Sequence, residues 1–127
     1  MENKELTKAE EQVMQFLWKV KKGFLKDIVD QYPIPKPAYT TVSTVIRVLV
    51  KKGFIGFNAY GKIHEYYPLI VKSDYFQNHI KSIITNYFNG SAPEFASFFA
   101  NDQLNLIELE EIKILIEDRI QNIKSNK

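Results

Sequence analysis

The chain has 127 residues, enough for one ordinary domain or for a small domain with an appendage. It contains no cysteine, which excludes a disulfide framework and a thiolate metal site and fits a reducing cytoplasm. The charged amino-terminal segment lacks the apolar core of a signal peptide, and no stretch reaches the roughly 18 apolar residues of a membrane span. We therefore expect a cytoplasmic protein without membrane insertion.

The net charge of +2 is small, but its distribution along the chain is uneven. Residues 1–68 hold 11 Lys and Arg against 7 Asp and Glu, whereas residues 69–127 hold 6 against 8. A basic first half joined to an acidic second half indicates that only the first half meets an anionic partner.

Two helices are predicted at the start of the chain. The segment TKAE, from Thr7 to Glu10, has the pattern of a capping box and is followed by apolar residues at helical spacing. This helix is predicted to end at KKG, where Gly23 would supply the left-handed turn. A second, short helix is predicted over residues 25–32, LKDIVDQY, before the prolines of YPIPKPA interrupt it.

A third helix is predicted from Tyr39 or Thr40 to Gly53, within YTTVSTVIRVLVKKGFI. At about 100° per residue, its aliphatic side comprises Val42, Val45, Ile46 and Leu49. Its other side comprises Thr40, Ser43, Thr44, Arg47 and Lys51. Short hydroxyls beside two long cations suit close approach to a phosphate backbone and to base edges, whereas an ordinary solvated face mixes Glu with Lys. The same β-branched run is also compatible with a strand.

The period then changes from helical to extended. The segments FIGFNA and IHEYYPLI are rich in β-branched and aromatic residues, and Tyr60-Gly61-Lys62 lies between them as a turn, so they predict a hairpin. Three helices followed by a hairpin is the order of a winged helix-turn-helix. The third helix is then the recognition helix, and the hairpin is the wing.

Three further helices are predicted in the tail. Residues 72–88 carry a wide apolar stripe that ends at Asn89-Gly90. A capping box at Ser91–Glu94 starts a short aromatic helix, EFASFFA, which Asn101-Asp102 is expected to break. A final helix, capped by Asn105 through Glu108, is expected to run to about Ile123.

The tail helices are too apolar for a unit of this size to bury their stripes internally, so we expect them to pack against a second copy of the chain. The alternative is a compact monomer whose tail folds back on the wing domain. The residues predicted to form the dimer are Phe76, Ile80, Ile83, Ile84 and Tyr87 in the first tail helix, and Leu109, Ile112, Ile116, Ile120 and Ile123 in the last. The predicted division is a winged-helix domain over 1–70 and a helical dimerisation domain over 71–127.

Catalytic and metal chemistry has no support in the sequence. His64 and His79 fall on different elements, and HEYY lacks the second histidine of a zinc-protease motif. The five glycines are scattered beside turns and caps, so there is no phosphate-binding loop. We expect no enzyme, no metal and no cofactor.

Three segments, in this order, resemble the penicillinase repressor family of bacteria, which includes the methicillin-resistance repressors. They are LTKAEEQVMQFLW at the first helix, YTTVSTVIRVLVKKGFI at the third helix and FFANDQLNLIELEEIKILIE in the tail. The resemblance runs from about residue 5 to residue 123, with a less similar wing.

This resemblance implies a homodimer that binds inverted-repeat operators through its winged helices. It implies that the carboxy-terminal helices make the dimer, and that cleavage in this region, triggered by a membrane sensor protease that detects β-lactam, relieves repression. The family's cleaved bond joins an Asn to a Phe, and Ser97-Phe98 stands at that position here. The copper-sensing branch of the family uses a carboxy-terminal cysteine cluster. Because this chain has no cysteine, that branch is excluded.

The DNA contacts carried over from the family fall on Thr41, Ser43, Thr44 and Arg47. The full set of candidate contacts is Tyr39, Thr40, Thr41, Ser43, Thr44, Arg47 and Lys51 on the recognition helix, with Tyr60 and Lys62 on the wing. The sequence thus predicts a mainly α fold with a small β-hairpin, acting as a dimeric repressor on double-stranded DNA. The alternative function is a winged-helix module that binds another protein.

Overall fold

The structure is a computed structural model that describes residues 5–126. Two compact units divide the chain, the first ending at Ile80 and the second beginning at Lys81. The elements of the first part are α1 (Lys8–Val20), β1 (Gly23–Phe24), α2 (Leu25–Asp30), α3 (Tyr39–Lys52), β2 (Ile55–Tyr60) and β3 (Ile63–Pro68). They are followed by α4 (Lys72–Tyr87), α5 (Ala92–Gln103) and α6 (Leu106–Ser125). The predicted order of three helices and a hairpin is confirmed.

Both ends of α1 lie where the sequence predicted, but the residue that turns the chain after it differs. Thr7 Oγ1 accepts from the Glu10 amide at 3.1 Å, and Glu10 Oε1 accepts from the Thr7 amide at 3.0 Å, which completes the capping box. The left-handed residue at the end is Lys21, with φ 76°, so the role predicted for Gly23 is wrong. Gly23 instead opens β1, where the Asp27 side chain approaches to 3.1 Å of the position that a Cβ would take.

The core of the first unit is built from the apolar faces of its helices and the start of β2. Its buried side chains are Val13, Met14, Leu17, Ile28, Val29, Val42, Ile46, Leu49, Phe54, Ile55 and Tyr75. Val42, Ile46 and Leu49 are the inward residues predicted for α3, and Val45 is half-buried beside them. Burying this aliphatic side fixes which side of α3 is left facing outward.

The sheet has three antiparallel strands in the order β1-β3-β2, one more than the predicted hairpin. Tyr60 was expected in the turn, but it is the last residue of β2 and pairs with Ile63. The connection is therefore a two-residue loop, in which Gly61 adopts φ 66°, a conformation that tight hairpin loops require and that glycine adopts without strain.

The chain after the wing is tied back to α1. The Trp18 indole Nε1 donates to the Ile70 carbonyl at 2.8 Å. Tyr75 on α4 is buried, and its ring centroid lies 5.9 Å from those of both Trp18 and Phe54. The first turns of α4 therefore belong to the first unit, which extends past residue 70.

The second unit begins with the end of α4 and the start of α5. Ser91 is the N-cap of α5, and its hydroxyl accepts from the Glu94 amide at 3.1 Å. The Ser91 amide donates to the Phe88 carbonyl at 2.8 Å, so its hydrogen is not available to Glu94. Ser91 therefore caps the helix through one hydrogen bond rather than through the reciprocal capping box that the sequence predicted.

The junction between α5 and α6 also departs from the prediction. The helix continues through Asn101 and Asp102 to Gln103, so the break predicted there is wrong. The last turn of a helix leaves its carbonyl groups without intrahelical partners and tolerates such polar residues. The chain changes direction at Leu104, and the predicted capping box of Asn105 and Glu108 then starts α6.

Candidate nucleic-acid interface

The outward side of α3 carries the hydroxyl and cationic residues that the sequence predicted. Thr40, Thr41, Thr44, Arg47 and Lys51 are exposed along it. Ser43 is half-buried among them. Gly53 ends the helix in the left-handed conformation at φ 87°, and the chain then enters the wing. The helix therefore presents short polar side chains and two cations on a rigid scaffold.

The hydroxyl of Thr44 is already directed by the helix. Its Oγ1 donates to the Thr40 carbonyl at 2.9 Å, so the hydroxyl hydrogen is used internally. Thr44 can then offer only an acceptor oxygen and a methyl group to a partner. At the start of the helix, Tyr39 is 48% exposed and follows Ala38, an N-cap whose side chain makes no capping hydrogen bond.

The tip of the wing carries the other two candidate contacts. Lys62 is exposed in the two-residue loop, next to Gly61. Tyr60 is 58% exposed, and its hydroxyl lies 3.5 Å from Glu65 Oε1. Its ring centroid is 6.3 Å from that of Phe24, which pairs across the sheet with Glu65. Tyr60 thus belongs to the face of the sheet that carries Phe24 and Glu65.

A cleft of about 460 Å³ separates α3 from the wing. It brings Ser43 and Arg47 of α3 together with Lys62 of the wing tip. Two basic side chains from different elements therefore border one concave surface. Tyr39, Thr40, Thr41, Thr44, Lys51 and Tyr60 lie outside its lining.

The wing contributes an aromatic wall to this cleft. The rings of Phe57 and His64 stack, with centroids 4.1 Å apart and an interplanar angle of 9°. Tyr66 meets Phe57 edge to face at 6.2 Å. Burial raises the pKa of Tyr66, and the nearby Arg47 guanidinium partly offsets that rise. Phe57 and Tyr66 were not among the residues predicted from the sequence, although the strand alternation in β2 and β3 could have placed them on one face.

The two histidines lie on different elements, His64 on β3 and His79 on α4. Within residues 5–126, no group of three or more His, Asp or Glu side chains is positioned to hold a metal ion. His79 lies on α4, with its ring stacked on Tyr75 at 5.8 Å.

None of the helices in the described part of the chain is long and apolar enough to cross a membrane.

The residues predicted to form a dimer lie on α4 and α6. Among them, Tyr87 is 78% exposed, and Phe76, Ile116, Ile120 and Ile123 are exposed as well. Ile80, Ile83, Ile84, Leu109 and Ile112 are half-buried. Across the described residues of α5 and α6, no side chain is buried. The exposed Ile114 and Leu115 of α6 were not among the predicted contacts.

The candidate cleavage site lies within α5, where Ser97 and Phe98 are both exposed. The Phe98 ring centroid is 5.8 Å from that of Phe88, and Phe88 also meets Phe95 edge to face at 5.6 Å. Ser97 and Phe98 are therefore exposed residues, but the bond between them is held in helical conformation.

Comparison with known proteins identifies related chains along nearly the whole length. Residues 6–118 match the family described as penicillinase repressor. The methicillin resistance regulatory protein MecI of Staphylococcus aureus strain N315 is 29% identical over 123 residues, which cover 94% of this chain and 100% of MecI. The penicillinase repressor of Bacillus licheniformis is 26% identical over 116 residues, 90% of this chain and 91% of that protein.

A solved structure supports the same assignment for the fold. The solution structure of the DNA-binding domain of the repressor BlaI matches with a TM-score of 0.50 at 24% identity, covering 57% of this chain and 90% of that domain. The predicted winged-helix fold is therefore confirmed. The family and the Bacillus licheniformis relative are described as repressors, and MecI as a regulatory protein, so none of them is described as an enzyme. Because the family match spans most of the sequence, this chain belongs to the penicillinase repressor family.

Proposed function

We propose that this protein is a dimeric transcriptional repressor that binds an inverted-repeat DNA operator. Its winged-helix part, residues 1–70, would read one half-site per protomer. Its helical part, residues 71–127, would join two protomers. The protein would act in the cytoplasm, without inserting into a membrane.

The observation that carries the proposal is the composition of the outward side of α3. Its aliphatic residues are buried, which leaves Ser43, Thr44 and Arg47 directed away from the core. A helix that presents hydroxyls and a guanidinium on a firm support is suited to the major groove, where arginine pairs with guanine edges and hydroxyls contact either bases or phosphates. The related BlaI domain is named as DNA-binding, which supports the same role here.

The position of the wing supports the proposal independently. Lys62 lies at the hairpin tip and borders the same cleft as Arg47. When α3 occupies a major groove, a lysine at the tip of the wing is suited to the flanking phosphates. Such a contact orients the domain without reading sequence.

The apolar surfaces of α4 and α6 support the dimer. Large exposed side chains such as Tyr87, Ile116 and Ile123 are costly to leave in water when they are numerous on a small unit. A dimer presents its second winged helix at high effective concentration, which raises affinity by roughly 10²–10⁴ without new contacts. A monomer whose tail folds back on the first unit is the competing arrangement.

Proteolysis in the tail is the proposed means of inactivation, with a membrane-bound sensor protease as the partner and β-lactam as a candidate signal. The exposure of Ser97 and Phe98 supports access to this bond. Because a protease requires an extended substrate, cleavage here would need local unwinding of α5. The aromatic contacts of Phe98 would slow that opening.

The alternative is a winged helix that binds another protein. Such a surface would more often expose aliphatic or aromatic side chains where α3 carries Thr40, Thr44 and Arg47.

Both proposals are tested by selecting duplexes from a random pool and titrating the selected sequence by fluorescence anisotropy at several salt concentrations. A repressor should enrich a palindromic sequence, and its affinity should fall steeply with salt. Retention of random and selected duplexes with equal affinity would favour the protein-binding alternative.

A further inference from the structure

The cleft between α3 and the wing has the volume of a small-molecule site. Its volume of about 460 Å³ falls within the roughly 300–1,000 Å³ typical of ligand pockets. Leu25, Ile46 and Val50 give it an apolar floor. All three side chains belong to the core of the first unit or pack against it, so the apolar floor of the cleft is continuous with that core.

The charged residues that line the cleft favour a negatively charged ligand. Arg47 and Lys62 contribute two cations, and none of the residues that line the cleft is an Asp or a Glu. Ser43 and Tyr66 add hydroxyl groups that can donate to an anion. An arginine paired with hydroxyl donors is well suited to a carboxylate, which it can bind through two parallel hydrogen bonds.

The aromatic wall of the cleft favours a flat, aromatic ligand. The stacked rings of Phe57 and His64 present a flat surface, and Tyr66 stands nearly perpendicular to both, at 65° and 74°. Phe57 is 39% exposed, so part of its ring remains available to a ligand. A second aromatic ring packs favourably on such a surface in an offset or edge-to-face arrangement.

We propose that this cleft binds a small aromatic carboxylate, with its ring against Phe57 and its carboxylate on Arg47 and Lys62. The ligand and DNA would then compete for the same two cations. This second statement rests on the proposed function, whereas binding of the ligand does not. By linkage, a competitor present at ten times its Kd weakens DNA binding about tenfold.

The first experiment needs no DNA. The full-length protein is titrated with benzoate and followed by two-dimensional amide NMR. Shifts should concentrate at Ser43, Arg47, Phe57 and His64, and neutral benzamide should bind about tenfold more weakly because it lacks the charge. Equal responses to benzoate and benzamide, or no cleft shifts at about 10 mM benzoate, overturn the proposal. Inorganic phosphate producing the same shifts at the same concentration would show a general anion site instead.

A variant separates the ligand from DNA. Phe57→Leu keeps an apolar side chain on β2, removes the aromatic face and leaves Arg47 and Lys62 in place. It should weaken benzoate binding about fivefold while changing DNA affinity by less than about twofold. Unchanged benzoate affinity in a folded variant would overturn the proposed ring position. Benzoate shifts in the cleft of a protein that binds no duplex would support the site and overturn only the proposed function.

Discussion

The Lys52 ammonium donates to the Glu10 carboxylate, with Nζ and Oε1 2.7 Å apart, and so joins the last turn of α3 to the first turn of α1. Glu10 is only 7% exposed and also accepts from the Thr7 amide. Burial by itself would raise the pKa of Glu10, but the hydrogen bonds from Lys52 and Thr7 outweigh it, and the net pKa is lowered from its ordinary value of 4.5. The pair therefore holds α3 against α1.

Lys52→Met should lower the free energy of unfolding by about 1–3 kcal/mol near neutral pH, because it leaves a buried carboxylate without its charged partner. The pKa of Glu10 is lowered in the folded protein, and this determines how the free energy of unfolding depends on pH. Stabilisation by the pair is complete above the unfolded pKa and is lost as the pH falls through the folded value. Urea denaturation of both proteins, near neutral pH and at about pH 3, should show the difference shrinking in acid.

Lys26→Met is the matched control for this change. Lys26 lies 3.7 Å from Asp30 in a pair whose side chains are 74% and 52% exposed. An exposed pair of this kind contributes little, so the variant should change stability by less than about 0.5 kcal/mol. Equal effects of the two substitutions would contradict a special role for the bridge between Glu10 and Lys52.

Arg47→Ala should weaken binding to the selected operator. If the guanidinium reads a guanine, the loss should be about 1–3 kcal/mol per contact, with relaxed preference at one base pair in each half-site. If it contacts phosphate, the loss should be equal on all sequences, and the salt slope should become smaller. Titration of the operator and of single-base variants distinguishes the two outcomes.

The control for Arg47→Ala removes a positive charge elsewhere. Lys19 is an exposed residue of the last turn of α1 and is not a candidate contact. Lys19→Ala should leave operator affinity nearly unchanged. An Arg47→Ala protein with the affinity and salt slope of the original would remove Arg47 from the interface.

Lys62→Ala tests the wing. Lys62 is exposed in a two-residue loop and is expected to meet phosphate, so its loss should weaken selected and random duplexes by about the same factor. The salt slope should fall by roughly 1. Anisotropy titrations on both duplexes measure this directly, and a loss confined to one sequence would contradict a phosphate role.

The sequence was sufficient to predict features that depend on local periodicity. The inward side of α3, the end at Gly53 and the caps at Thr7 and Asn105 follow from spacing and from cap chemistry within a few residues. These signals also identified the outward cations, because burying one side of a helix determines the other.

The features that were missed depend on contacts between distant residues. The strand β1 has two residues, too few for alternation to be recognised, and it exists through pairing with Tyr66 and Glu65. The cleft depends on how closely the wing approaches α3, which no local pattern records. Lys21 adopts the positive φ that a glycine was expected to supply, because the chain must turn before Gly23 enters the sheet.

The last prediction concerns the link between the tail and DNA affinity. A chain that ends at Ser97 retains the predicted DNA contacts but loses α6 with Ile116, Ile120 and Ile123. It should sediment as a monomer, and its operator affinity should fall by roughly 10²–10⁴, the factor that joining two half-site binders provides. Analytical ultracentrifugation and operator titration measure the two quantities on the same samples.

Point variants of the full-length chain test the same surface without depending on whether the shortened protein folds. Ile116→Glu places a charge on the exposed apolar surface of α6 and should weaken both dimerisation and operator binding, because a charge is costly to bury without a partner. Glu117→Gln, at the next and already polar position, should change neither. A chain ending at Ser97 that stays dimeric and binds the operator as tightly as the intact protein would contradict both the dimer surface and inactivation by cleavage of α5. Loss of binding in the Ile116→Glu protein without loss of dimerisation would likewise contradict effective concentration as the source of operator affinity.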